Sequence, residues 1–106
     1  MPKYLITGSY TSEGAKGVLA KGGSDRRAAV EELTKSVGGT VEAFYFAFGG
    51  DDIVTIIDAP DNESVASVAM TVGASGMVDI QTTVLLTPEE VDGAAKKSVS
   101  YRGPGQ

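Results

Sequence analysis

Four stretches of this chain are runs of β-branched and aromatic residues, and in the segments between them apolar residues recur with a helical period. Lys3 to Tyr10 sets Tyr4, Ile6, Gly8 and Tyr10 against Leu5, Thr7 and Ser9, which predicts a first strand with a glycine where another backbone or a ligand comes close. Thr11-Ser12-Glu13 supplies an N-cap and an acidic first turn for a short helix through Val18-Leu19-Ala20, weakened by Gly14 and Gly17 and ended by Gly22-Gly23. Ser24 is expected to cap a second helix, which carries Val30, Leu33 and Val37 along one face, with Asp25, Arg26, Glu31, Glu32 and Lys35 largely off it, and Gly38-Gly39 stops it. Thr40 to Phe48 and Ile53 to Ala59 read as strands joined by Gly49-Gly50-Asp51-Asp52, residues of hairpin turns. Pro60 and Asp61 open a third helix, with Asp61 or Asn62 as its N-cap, where Val65, Val68, Ala69 and Val72 keep the spacing of a buried stripe until Gly73 to Gly76. Met77 to Leu86 is the longest strand, and Thr87-Pro88-Glu89-Glu90 is a capping box with proline at the first helical position, which starts a C-terminal helix to about Lys97.

The order β-α(α)-β-β-α-β with a final helix is the split βαβ, ferredoxin-like unit of the α+β class, a four-stranded antiparallel sheet with helices on one face. A sheet whose other face met water should alternate cleanly between apolar and polar residues. These strands do not. Val41, Ala43, Tyr45 and Ala47 oppose Glu42, Phe44, Phe46 and Phe48, while Ile53, Thr55 and Ile57 oppose Val54, Ile56 and Asp58, so either face left in water is a patch of the kind that marks an interface. Pairing of two sheets into a dimeric α+β barrel is the expected remedy, with a homodimer or higher homo-oligomer as the partner state. Residues 1–97 are expected to form one domain, and residues 98–106 a tail that is either disordered or laid as an arm on a neighbour.

Composition narrows the chemistry. The chain has 106 residues and neither cysteine, histidine nor tryptophan, which removes disulfides, thiolate and imidazole metal sites, and the commonest general base. No metal and no cofactor is expected, and acid–base work falls to Asp, Glu, Lys or Tyr. A formal charge of −5 opposes binding to nucleic acid or to an anionic membrane, and the small basic cluster of Lys96, Lys97 and Arg102 does not reverse it. No apolar run is long enough to span a bilayer and no leader pattern opens the chain, so a cytoplasmic protein is the expectation.

Among polar residues, Asp52 is the best catalytic candidate, because it begins a strand that continues into an apolar wall. Turn chemistry explains Asp51 and Asp52 without catalysis: Asp51 suits an unusual backbone angle, and Asp52 suits bonds to N–H groups across the turn. Asp58 shares a face with Val54 and Ile56 near the end of the same strand, and Tyr4, Tyr10 and Tyr45 offer phenols to a cavity; Tyr10, Tyr45 and Asp58 are the candidate ligand-binding residues. Gly14-Ala15-Lys16-Gly17 and Gly22-Gly23 lack the lysine-hydroxyl pair of a phosphate loop. Glu89 and Glu90 are explained by capping, and with Asp92 they lack the alternating ligands of a calcium loop.

The opening PKYLITGSYTSEGAKG, the AFYFAFGGDD turn, VTIIDAPDN, Ala74-Ser75-Gly76, TTVLLTPEEVD and the closing KKSVSYRGPGQ, in this order and spacing, resemble the GYD-domain proteins. These are small bacterial and archaeal proteins of largely unassigned function in the dimeric α+β-barrel superfamily. The naming glycine-tyrosine-aspartate motif falls on Gly50, Asp51 and Asp52, with Asp51 in place of the tyrosine. The expected role is a small oligomeric binding or assembly module with a cavity for a small apolar or aromatic molecule, which fits the absence of histidine, cysteine and tryptophan. The alternative is a cofactor-independent monooxygenase- or isomerase-like enzyme on a small aromatic substrate, with Asp52 as base and Tyr10 or Tyr45 as positioning group. An effector-binding subunit is a third class, without DNA-binding helices here.

Overall fold

The computed structural model covers residues 1–106 and places the elements in the expected order. Strands β1 (Lys3–Tyr10), β2 (Thr40–Phe46), β3 (Ile53–Asp58) and β4 (Val78–Leu85) form one antiparallel sheet in the order β2-β3-β1-β4. Helices α1 (Ser12–Lys21) and α2 (Gly23–Ser36) connect β1 to β2, α3 (Asn62–Ala74) connects β3 to β4, and α4 (Pro88–Ala95) follows β4. This is the ferredoxin-like α+β arrangement, with β1 and β3 as the protected central strands.

Residues paired across antiparallel strands project to the same side, so the register assigns the faces. Tyr4, Ile6 and Gly8 share one side with Ile57, Thr55 and Ile53 of β3 and with Val84, Thr82 and Ile80 of β4. That side carries the core: Tyr4, Ile6, Ile57, Ala59 and Val65 form one buried cluster, with Tyr4 and Ile57 each 1% exposed. The Tyr4 hydroxyl donates to Asn62 Oδ1 at 2.6 Å, so the first turn of α3 is fixed to the sheet by the same residue that fills the core.

Strict alternation along β2 does not survive. The register shifts at a β-bulge between Val41 and Ala43, after which Phe44 pairs with Thr55 and Phe46 with Ile53. One extra residue reverses the facing of everything beyond it. Val41 therefore shares the helix side with Phe44 and Phe46, while Ala43 and Tyr45 join the open side opposite Ile56 and Val54. The Thr55 hydroxyl donates to the Ala43 carbonyl at 2.7 Å, giving a polar side chain on the core side a partner beside the bulge. Phe44 and Phe46 meet edge to face with centroids 5.3 Å apart, and Phe46 fills the space where a Cβ on Gly23 would lie. The strands are also shorter than their apolar runs: β2 ends at Phe46 and β3 at Asp58, two and one positions short of the sequence-based limits.

Two glycines are required by close approach. A Cβ on Gly14 would lie 2.0 Å from the Met77 carbonyl oxygen, so α1 rests directly on the backbone that leads into β4. Gly8, opposite Ile80, would place a Cβ 2.9 Å from the Ile80 side chain, which meets the expectation that another group crowds this point of β1.

Beyond the sheet the chain runs outward. The capping box of Thr87 and Glu90 is formed, Thr87 N–H to Glu90 Oε1 at 3.0 Å and Glu90 N–H to Thr87 Oγ1 at 3.1 Å. Yet no residue of α4 is buried, and every residue from Leu86 to Arg102 is exposed. The radius of gyration is 16.9 Å and the long axis 56 Å. A compact chain of this length has a radius of gyration of about 13 Å, so the excess reflects an arm standing clear of the domain. No helix is long and apolar enough to cross a membrane.

Candidate functional site

Between the helix side of the sheet and helices α1, α2 and α3 lies a cavity of about 560 Å³. Its walls are Ile6, Ile53 and Ile57 from the sheet, Val30 and Leu33 from α2 and Val68 from α3. The helices frame the space but do not fill it: α2 buries only Thr34, and α1 only Gly14. Of the hydroxyls in the wall, buried Thr34 donates to the Val30 carbonyl at 2.8 Å and buried Thr55 to Ala43, while Thr71 and Ser75 are exposed. The deep part of the cavity is therefore apolar in effect.

Polarity enters from the end where β1 runs into α1. Tyr10 lines the cavity there, as do Glu13, Lys21, Asp25 and Arg26. Burial raises the Tyr10 phenol above its ordinary value of 10.0, the positive charge of Arg26 opposes that rise, and the negative charge of Asp52 adds to it. Arg26 is half-buried and has no ion pair, whereas Lys16 lies 3.7 Å from Glu13 and Arg27 3.7 Å from Glu31.

Asp52 sits outside this cavity and is bound to the backbone of β1. Its N–H donates to the Gly8 carbonyl at 2.7 Å, and its carboxylate Oδ2 accepts the Tyr10 N–H at 2.8 Å. The Ser9 hydroxyl donates to the Gly50 carbonyl at 3.0 Å. These bonds tie the β2–β3 turn to the strand beside it rather than across the turn itself. Asp51 is exposed, and no residue other than glycine has a positive φ, so the unusual backbone angle expected at Asp51 is not adopted. The reason is length: the connection from Phe46 to Ile53 is a wider loop, closed by Ala47 N–H on the Asp52 carbonyl at 2.8 Å, and it turns without left-handed geometry.

Tyr45 and Asp58 belong to the other side of the sheet. Tyr45 is 69% exposed on the open face. Asp58 accepts from Lys3 Nζ at 2.9 Å, and Glu42 lies 3.2 Å from the same ammonium. The hydrogen bonds to Asp58 and then Glu42 raise Lys3 above its ordinary 10.5. Of the residues chosen from sequence, only Tyr10 reaches the cavity.

The GYD domain family model matches residues 4–95. The chain belongs to the GYD-domain family. Comparison with curated proteins and with solved structures finds no match. In this GYD-domain protein Gly50 and Asp52 carry the bonds that fasten the β2–β3 turn to β1, while Asp51 is exposed.

Arg26 was hidden among the polar residues assigned to the outside of α2. Its spacing contains the missed signal, because Arg26, Val30, Leu33 and Val37 stand at i, i+4, i+7 and i+11, on one helical face. A charged residue at the head of an apolar stripe is a candidate for the rim of a cavity.

Proposed function

We propose that this GYD-domain protein is an assembled binding module: two copies close their open sheet faces against each other, and each keeps its cavity for a small apolar or aromatic molecule. The observation that carries the reading is the two-sided sheet, with an unfilled apolar space on the helix side and Leu5, Val54, Ile56, Ala43 and Leu85 on the open side. Only 12 of 106 residues are buried in the isolated chain, a small core for a domain of this size, and pairing would bury more. The arm supports the same view. An isolated helix as short as α4 is marginal in water, so its exposed Val91 and the Val99 and Tyr101 beyond it find packing only on another chain. The catalytic alternative has less support, since Asp52 is engaged on the backbone and Tyr10 alone of its residues lines the cavity.

Native mass spectrometry of freshly purified protein tests both halves together. A dimer or larger homo-oligomer carrying extra mass that is lost on activation is the expected result. A monomer across the working concentration range rejects the assembly.

A further inference from the structure

We propose that the cavity takes an apolar acid, an aryl or aliphatic body ending in a single anionic group, with Arg26 as the group that recognises the charge and Tyr10 as its hydrogen-bonding neighbour. The inference rests on the cavity being a ligand site, as proposed above.

The cavity has two chemically different ends. The sheet and α3 give it isoleucines and valines, and the buried Thr55 and Thr34 hydroxyls among them are spent on backbone carbonyls, while Thr71 on α3 is exposed. All four of its charged lining residues, Glu13, Lys21, Asp25 and Arg26, come from α1 and α2. Of these four, Glu13, Lys21 and Asp25 are exposed and Arg26 alone is half-buried. Two acidic and two basic residues balance at this end, so what sets Arg26 apart is its partial burial and its lack of an ion pair.

Arg26 is held in this position without a carboxylate partner. A guanidinium presents five N–H donors in a planar fork that matches a carboxylate, and partial burial strengthens such a bond by weakening competition from water. The Tyr10 hydroxyl, in the same cavity and within the field of Arg26, supplies one further donor. Arg26 and Tyr10 therefore define a polar head site, and the isoleucine and valine walls define the site for an apolar body. A neutral apolar molecule uses only the second, and a small hydrophilic anion only the first.

Two dyes with the same ring system separate these contributions: 1-anilinonaphthalene-8-sulfonate, which carries a permanent negative charge, and N-phenyl-1-naphthylamine, which does not. Fluorescence titration of the natively folded full chain should give affinity about tenfold higher for the sulfonate, in the range of one charge-assisted contact. Octanoate should displace it. Arg26→Met should bring the two dyes to within about twofold of each other while leaving the neutral dye unchanged, and Arg26→Lys should retain part of the preference. A thermal melt on each variant establishes that it is folded. Equal binding of both dyes, with no effect of Arg26→Met or with sulfonate that octanoate does not displace, overturns the acid specificity and leaves the cavity as a site for neutral molecules. Failure of both dyes to bind overturns the acid proposal along with the ligand-binding half of the reading on which it rests.

Discussion

On the helix side of the sheet Tyr4, Ile6, Ile53, Thr55 and Ile57 are buried, whereas on the open side their sequence neighbours Leu5, Val54 and Ile56 are only half-buried, although all belong to the two central strands. The same backbone presents both rows. Helix-side burial comes from a second layer of structure, and open-side burial only from side chains standing next to one another on the sheet. The open face also varies along its length: Lys3, Glu42 and Asp58 form an ion cluster at one end, Leu5, Ile56, Ala43 and Val54 follow, and Thr7, Ser9, Gln81 and Asp79 bring polar groups back along β1 and β4. A face built this way is suited to contact with a second sheet, with the charges fixing orientation at the end.

Paired substitutions at adjacent positions give the largest contrast. Ile57→Ala removes a fully buried side chain and should cost roughly 2–5 kcal/mol in urea unfolding, with an unchanged slope. Ile56→Ala, one residue away and facing outward, should cost under about 1 kcal/mol at protein concentrations low enough to dissociate copies. Equal losses at such dilution would show that the two faces are not different in the isolated chain.

Placing a charge on the open face sharpens the comparison further. Ile56 lies between Leu5 and Ala43 in the sheet. Ile56→Lys should leave the monomer folded but prevent pairing, because a buried ammonium without a partner is costly. Light scattering should then read the mass of one chain, and the melting temperature should lose its dependence on protein concentration. A variant that keeps the parent's oligomeric mass would place the interface elsewhere, with the exposed arm as the next surface to test.

A smaller effect is expected where the helix layer is fastened to the sheet. Tyr4→Phe deletes the hydroxyl that donates to Asn62 at 2.6 Å while keeping the ring in the core. The expected loss is about 1 kcal/mol in chemical unfolding, the usual net value of one such bond. No change would mean that α3 is held by packing of Val65 and Val68 alone.

How much of this contrast the sequence displays depends on what sets each feature. The helix starts at Thr11, Asp61 and Thr87 are local, each a side chain bonding an N–H within its own first turn, and these three are formed, whereas Ser24 does not cap α2: that helix already begins at Gly23, and its N-cap Gly22 has no side chain to bond with. The two-sided character of β1 and β3 is also legible, since period two needs no partner to define it. The facing of β2 is not, because its bulge at Glu42 depends on how the strand meets β3, and nothing in the local alternation of Val41 to Phe46 marks an inserted residue. Asp52 shows the same limit: its carboxylate bonds Tyr10, a residue far away in the chain. The cavity is the least legible feature, for it is a difference between how far α2 stands from the sheet and how far its side chains reach. Even so, the spacing of Arg26 with Val30 and Leu33 is present in the sequence, where its charge masks its place on the apolar face.

The smallest expected effect concerns the cap that starts α3, the helix covering the core side. Asp61 accepts the Ser64 N–H at 2.8 Å, and this backbone hydrogen bond to its charged form lowers the Asp61 carboxyl below its ordinary 3.8. A folded-state value below the unfolded one means that the stabilisation is complete above 3.8 and is lost as pH falls through the folded value. Asparagine caps helices as well as aspartate does but carries no charge to titrate or to interact with the helix dipole. The melting temperature of the parent should therefore exceed that of Asp61→Asn at neutral pH, and the gap should close as the solution is acidified below 3.8. Every other carboxylate is common to the two proteins and cancels in the difference. A gap that stays constant through that range would assign the contribution of Asp61 to cap geometry alone, and would remove any electrostatic difference between the start of α3 and an uncharged cap.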